Sequence, residues 1–335
     1  MLELTLMFIG LALLLYVLLG GADFGAGIIE IFTGRKGINT ISKAIAPVWE
    51  ANHIWLIVVI VILFNAFPEV YSTITLYLHI PIMLTLIGII FRGTAFTFRY
   101  YDPFDDRSHR VYTFLFKLFS LLTPFFLGVT LGAVILGRMS TDTSLRFFDL
   151  FVAPWLTWFS AGLGIFIILL FAFLAAVFLA GEPAEPSVRE QFKRYARRLL
   201  IALIIMGGFV FLLAEVDDLS LIRQYTGSWI SITCAVAATL LLPVFFYVLR
   251  KDMKHLTRVV AGAQTAAIII GWFGIQYPQL VILKGSEPLT VFNTLAPEKT
   301  LLMMLIALFV GLAFVIPLLL FLFKVFKFSE AGQQI

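Results

Sequence analysis

The sequence predicts an all-α, polytopic transmembrane bundle of about nine spans. Three observations carry this. Hydrophobic residues make up 61% of the 335 positions and charged residues 13%, where a soluble domain is about half apolar and about a quarter charged. The apolar residues fall in runs long enough to cross a hydrocarbon core of roughly 30 Å. Lys and Arg gather on alternate connections between those runs. The mean hydropathy of +1.01 agrees.

The expected spans, in order, are 4–32, 49–67, 74–99, 111–137, 151–180, 199–216, 229–249, 259–283 and 300–326. The first carries no basic stretch ahead of its apolar run, so it is expected to remain as a span rather than serve as a cleaved leader. Pro47 suits the first turn of the second span, where its missing N–H removes no bond. Trp155 and Trp158 open the fifth and read as an aromatic belt. Pro124, Pro243 and Pro317 suggest kinks in the fourth, seventh and ninth. The connections are short, so residues 1–335 form one integral membrane domain, with eight helices available for two four-helix bundles and one left at the periphery. No internal repeat is evident.

Charge sets the orientation. The odd-numbered connections and the tail carry 17 Lys and Arg, from Arg35, Lys36 and Lys43 through Arg189–Arg198 to Lys324 and Lys327, whereas the even-numbered ones carry five, Arg138, Arg146, Arg223, Lys284 and Lys299. By the positive-inside rule the N-terminus is outside and the C-terminus cytoplasmic. The net charge of +4 therefore reports topology and anionic-lipid contact, the latter above all at Arg189–Arg198, and implies no nucleic acid. The single Cys234 excludes a disulfide or a CxxC zinc site.

Polar residues inside the spans carry the functional signal. At roughly 100° per residue, Asn52, Trp49, His53 and Glu50 fall within an arc of about 160° at the start of the second helix. Asp23 lies in the cytoplasmic part of the first span, among Gly20, Gly21, Gly25 and Gly27, which allow close backbone approach. Arg92 lies two turns before the cytoplasmic end of the third. Asp23, Glu50, His53 and Arg92 are thus expected at one depth, as a low-dielectric cluster able to pass protons. The plainer readings are an Asp23–Arg92 ion pair that only orients helices, and a polar helix start at the headgroup level.

Of four His residues, His109 and His255 lie among charged loop residues, and His79 sits near the outer end of the third span. His53 and His79 should be roughly 15 Å or more apart along the membrane normal, too far to clamp one haem. A His–Met pair stays open among eight Met. The reading is that this chain holds no haem and no metal. Gln264 and Thr123 are candidate pathway residues, and Glu215, Asp217 and Asp218 read as a solvated helix end. Phe114, Phe116, Phe119, Phe125 and Phe126 read as lipid-facing or subunit-packing surface, or as the wall of a quinone tail site.

Taken together, Gly21-Ala22-Asp23-Phe24-Gly25-Ala26-Gly27, then Ala46-Pro47-Val48-Trp49-Glu50-Ala51-Asn52-His53-Ile54-Trp55, then Phe91-Arg92 with Phe98-Arg99 resemble subunit II of the cytochrome bd-type quinol oxidases. The specific motifs lie in the first hundred residues, and the rest agrees in length, span count and orientation. The resemblance implies a bacterial or archaeal cell membrane and a haem-bearing subunit I partner that holds haems b and d and oxidises quinol. It leaves room for a small single-span subunit and a structural quinone. It implies acidic proton-path positions at Glu50 and Asp23 and an oxygen route near Trp55; the residues themselves add His53, Asn52 and Trp49 as supports of Glu50, and Arg92 and Arg99 as structural charge partners. The other readings are a proton- or cation-coupled secondary transporter, which Gly-interrupted helices and buried carboxylates also suit, and a purely structural scaffold.

Overall fold

The structure, a computed structural model, describes residues 1–46, 49–101, 107–182 and 185–332. Pro47 lies outside them. Nine described helices are long and apolar enough to cross a membrane: α1 (Leu2–Ile31), α2 (Trp49–Ala66), α3 (His79–Tyr101), α4 (Ser108–Leu136), α5 (Trp158–Leu179), α6 (Pro186–Val216), α7 (Trp229–Arg250), α8 (Lys254–Gln276) and α9 (Glu298–Phe321). The helix of α9 continues to Gly332.

Several boundaries differ from expectation, for local reasons. The third span begins at His79 rather than 74, because the helix Pro68–Tyr77 ends at Leu78. The fifth begins at Trp158 rather than 151. Thr157 caps it, its hydroxyl accepting from Ser160 N at 3.1 Å. The eighth stops at Gln276 rather than 283, since Gln279–Val281 pairs antiparallel with Leu289–Thr290. The sixth starts thirteen residues early, at Pro186 instead of 199, because a basic, helix-forming stretch keeps winding after its hydropathy has left the membrane range. His109 and His255 stand in the first turns of α4 and α8, not in loops.

The helix α5 is the hub. It packs against α1, α4, α6 and α8, and its second half, from Leu170 to Val177, is buried at every position. Small residues make this possible. A Cβ at Gly25 of α1 would strike the Phe171 carbonyl of α5, and one at Gly128 of α4 would meet the Gly164 backbone at 2.6 Å. The pairs α3–α4 and α7–α8 are antiparallel neighbours, α2 packs on α1, and α9 lies mainly on α2. Phe309, Phe314 and Leu318 of α9, with Ile205 and Leu212 of α6, face outward as an apolar belt.

Ion pairs tie the first, fifth and seventh connections together at one end of the bundle, its basic end. Lys36 meets Glu185 at 3.0 Å, Lys193 meets Asp252 at 3.0 Å, and Arg258 meets Glu182 at 2.6 Å. The even-numbered connections meet at the other end, where Lys284 N donates to Met139 O and Ala296 N to Ala66 O. Asp217 is not a solvated helix end. It is buried, accepts from Phe159 N at 2.7 Å at the start of α5, and pairs with Arg138 at 3.2 Å, so one carboxylate serves as helix cap and cross-link.

Candidate functional site

The site begins with an irregularity in α1. Residues Tyr16–Gly20 form a π-helical turn, which adds one residue to the turn and rotates the remainder of the helix. Gly20 lies beside the Asn52 carbonyl. One turn further on, Asp23 points into the bundle with its side chain 1% exposed, and Arg92 of α3 meets it fully buried. The Arg92 fork donates from Nη1 to Oδ2 at 2.6 Å and from Nη2 to Oδ1 at 2.7 Å, with a third bond to the Asp23 carbonyl at 3.0 Å. Burying two charges costs several kcal/mol per ion, and a bidentate geometry of this kind is what offsets it. The rings of Phe116, Phe24 and Phe96 surround the guanidinium at 5.0, 5.4 and 6.0 Å.

The second helix brings His53. Its Nε2 lies 3.9 Å from Asp23 Oδ2, and its ring sits edge-on to Phe24 at 5.4 Å and tilted over Tyr16 at 6.4 Å. The α2 helix is interrupted at this residue: Trp49–Asn52 forms one turn and the regular helix resumes at Ile54. Asn52 is buried, and Trp49 is half-buried against Phe96 and Gly93. Trp55 is buried within α2.

Glu50 does not join the cluster. Its side chain is exposed on the surface of this chain. It occupies the edge of the roughly 160° arc expected for these residues, and so wide an arc cannot all face one seam. The structure therefore brings together Asp23, His53 and Arg92, with Asn52 and Trp49 beside them, and leaves Glu50 at the rim.

Two turns along α1 and α3 the pattern repeats. Arg99 Nη1 donates to Glu30 Oε1 at 2.7 Å, and Arg99 Nη2 donates to Ser42 Oγ at 3.3 Å. Lys117 of α4 approaches the same Glu30 oxygen at 3.7 Å. Phe116 is not the surface residue expected of it. It is fully buried between the two arginines, 5.0 Å from one and 4.4 Å from the other. Sequence reasoning passed over Glu30, although its signal was present: Asp23 to Glu30 and Arg92 to Arg99 are both seven-residue steps, which return to the same helix face. Thr123 and Gln264 are both buried. His79, near the other end of α3, donates from Nδ1 to the Leu76 carbonyl at 2.8 Å. Among the described residues no three His, Cys, Asp or Glu side chains are grouped to hold a metal ion.

The chemistry on offer is that of ionisable groups in a buried seam at the basic end. A fork-locked carboxylate faces an imidazole, and the exposed carboxylate of Glu50 stands three residues before that imidazole in the chain. Such groups can hold and hand on protons.

Comparison with known proteins places this chain in a family. The family model for cytochrome bd terminal oxidase subunit II matches residues 1–326. The chain is similar to cytochrome bd ubiquinol oxidase subunit 2 of Bacillus subtilis (strain 168), 26% identical over 318 residues, which cover 93% of this chain and 91% of the relative. It is also similar to cytochrome bd-I ubiquinol oxidase subunit 2 of Escherichia coli (strain K12), 27% identical over 143 residues, 42% of this chain and 38% of the relative. Its fold matches a chain of the bd oxidase of Geobacillus thermodenitrificans with a TM-score of 0.79 over 98% of both chains, at 20% identity.

Proposed function

Because this chain belongs to the cytochrome bd terminal oxidase subunit II family, we propose that it is the haem-free subunit of a quinol-oxidising terminal oxidase and supplies that complex with a cytoplasmic proton path. It is a multi-pass bacterial membrane protein and a subunit of an oxidoreductase complex, so subunit I is its partner. Haems b and d reside on that partner, where quinol is oxidised and oxygen reduced to water. The N-terminus faces outward and the C-terminus the cytoplasm, a reading supported by the concentration of Lys and Arg at one end of the bundle. Membrane lipids and quinol are met at the level of the complex, and a small single-span subunit and a structural quinone fit the same assembly.

The observation that carries the proton path is the buried Asp23–Arg92–His53 group, with the exposed carboxylate of Glu50 three residues from His53. Glu50 takes protons at the rim. His53 and Asp23 hold a polar passage open inside, with Asn52 and Trp49 fixing the broken turn that positions them. Arg92 neutralises Asp23, Arg99 neutralises Glu30, and Trp55 lines a route for oxygen. Protons taken from the cytoplasm, with quinol protons released outside, build a proton-motive force without a pump.

The test is Glu50→Gln in the assembled oxidase. Proton uptake and turnover fall together, by about a hundredfold for a single acid–base group, while the haem spectrum is retained. Unchanged uptake and turnover with haems intact would remove the role of Glu50. Isolation through a tag on this chain discriminates the alternatives: a coloured, haem-bearing complex supports the oxidase, and a colourless chain that carries solute by itself supports a transporter.

A further inference from the structure

The path through Glu50, His53 and Asp23 leaves one buried carboxylate without a task. Glu30 and Asp23 share a face of α1, about 10.5 Å apart along its axis, and each meets an arginine of α3. The two pairs differ in one respect. Asp23 has both oxygens taken by the Arg92 fork. Glu30 has only Oε1 engaged, and its Oε2 is buried without a hydrogen-bond partner. A carboxylate held by one oxygen keeps the other for a proton.

The surroundings form a file. Lys117 is 26% exposed and lies 3.7 Å from Glu30, whose side chain is fully buried, so it joins the carboxylate to the surface at the basic end. Three residues on, the Ser120 hydroxyl is fully buried, has no partner, and sits against Gly27, which lies between Glu30 and Asp23 on α1. Lys117, Ser120 and Thr123 follow an i, i+3, i+6 spacing, a row that slants round α4 by about 60° at each step. Thr123, also buried and unpartnered, sits against Gly88, one turn before Arg92. A hydroxyl both donates and accepts, so it can pass a proton and recover its own. Had this seam only to be packed, Ala at 120 and Val at 123 would fill it without polar atoms.

We propose that Glu30 is a second proton-holding station of this subunit, loaded from the basic end past Lys117 and discharging along Ser120 towards Asp23 and His53. This rests on the reading that the chain carries protons for the oxidase. A proton from water binds Glu30 Oε2. The new O–H bond breaks as the proton moves through water to the Ser120 oxygen, which releases its original proton onward. No electrons move, and both groups return to their starting state. Arg99, with Ser42 behind it, holds the carboxylate in place throughout.

The experiment uses the assembled oxidase with Glu30→Gln, Glu30→Asp and Ser120→Ala, compared with Glu50→Gln. Readouts are haem content, proton uptake on oxygenation of the reduced complex, and the redox-difference infrared band of a protonated carboxyl. Glu30→Gln lowers uptake at least about tenfold and abolishes one carboxyl band, Ser120→Ala slows uptake severalfold with the band present, and Glu30→Asp restores most of it. Unchanged uptake and an unchanged carboxyl band in Glu30→Gln, with haems present, overturn the proposal. So does unchanged uptake in Ser120→Ala, which leaves every charge in place and decides the matter if Glu30→Gln fails to assemble. If Glu50→Gln slows uptake and Glu30→Gln does not, this inference fails and the proposed function stands. If neither does, both fail.

Discussion

Replacing Arg92 with Met isolates what the Asp23–Arg92 pair contributes. Met fills much of the arginine volume and removes two charge-assisted hydrogen bonds of 2.6 and 2.7 Å to a carboxylate whose side chain is 1% exposed. Asp23 is then left buried with only His53, 3.9 Å away, as a cation source. Breaking a buried pair from one side costs about 3–5 kcal/mol, or two to three and a half powers of ten in a folding equilibrium at about 1.4 kcal/mol per tenfold. The loss should appear as a sharp fall in assembled, haem-bearing complex and in its melting temperature in detergent. The double variant Asp23→Leu with Arg92→Met removes both charges and should recover most of that stability, since apolar replacement of a whole buried pair is often neutral. Arg92→Met complex with wild-type yield and melting temperature would refute this account of the seam.

Further expectations test other parts of the fold. Gly25→Ala places a Cβ against the Phe171 carbonyl, forces α1 and α5 apart, and should cost about 1–3 kcal/mol, read as reduced thermal stability. Asp217→Ala uncaps α5 and removes the ion pair to Arg138, which keeps its bond to the carbonyl of residue 217, at about 0.5–2 kcal/mol for the cap, and should quicken proteolysis at that end. Glu185 lies outside the membrane-spanning part of α6. The Ser187 hydroxyl, then Lys36, hold its carboxyl below the usual carboxylate range. The link to Lys36 is therefore fully formed above that range and is lost only as pH falls through the lowered value. Hydrogen exchange in the first turn of α6 should stay slow at mild acidity and rise on further acidification.

How much was legible in the sequence depends on the kind of signal. The nine passes among the described residues were readable because each is a long apolar run. Helix limits were not readable where hydropathy and helix formation part company. Tyr277–Leu283 is apolar, yet it leaves the helix and supplies the strand Gln279–Val281, while the basic stretch from Pro186 is polar and helical. Asp23 with Arg92 could be anticipated because both are charged groups inside spans at one depth. Glu30 sat near an expected span end, where a carboxylate reads as solvated, and only the matching seven-residue steps on α1 and α3 point inward. Glu50 shows the opposite error: a helical arc gives direction only to within its own width, and the break at His53 resets the phase. The ties between distant connections, such as Lys193 with Asp252, have no periodic trace.

The central claim is that this subunit delivers protons from the basic end. The most direct measurement is the rate of proton uptake on that side of vesicles holding the oxidase, when oxygen is given to the fully reduced enzyme. Wild-type complex should take up protons there promptly, and Glu50→Gln complex with an unaltered haem spectrum should do so about a hundredfold more slowly. Equal rates in the two would contradict the account.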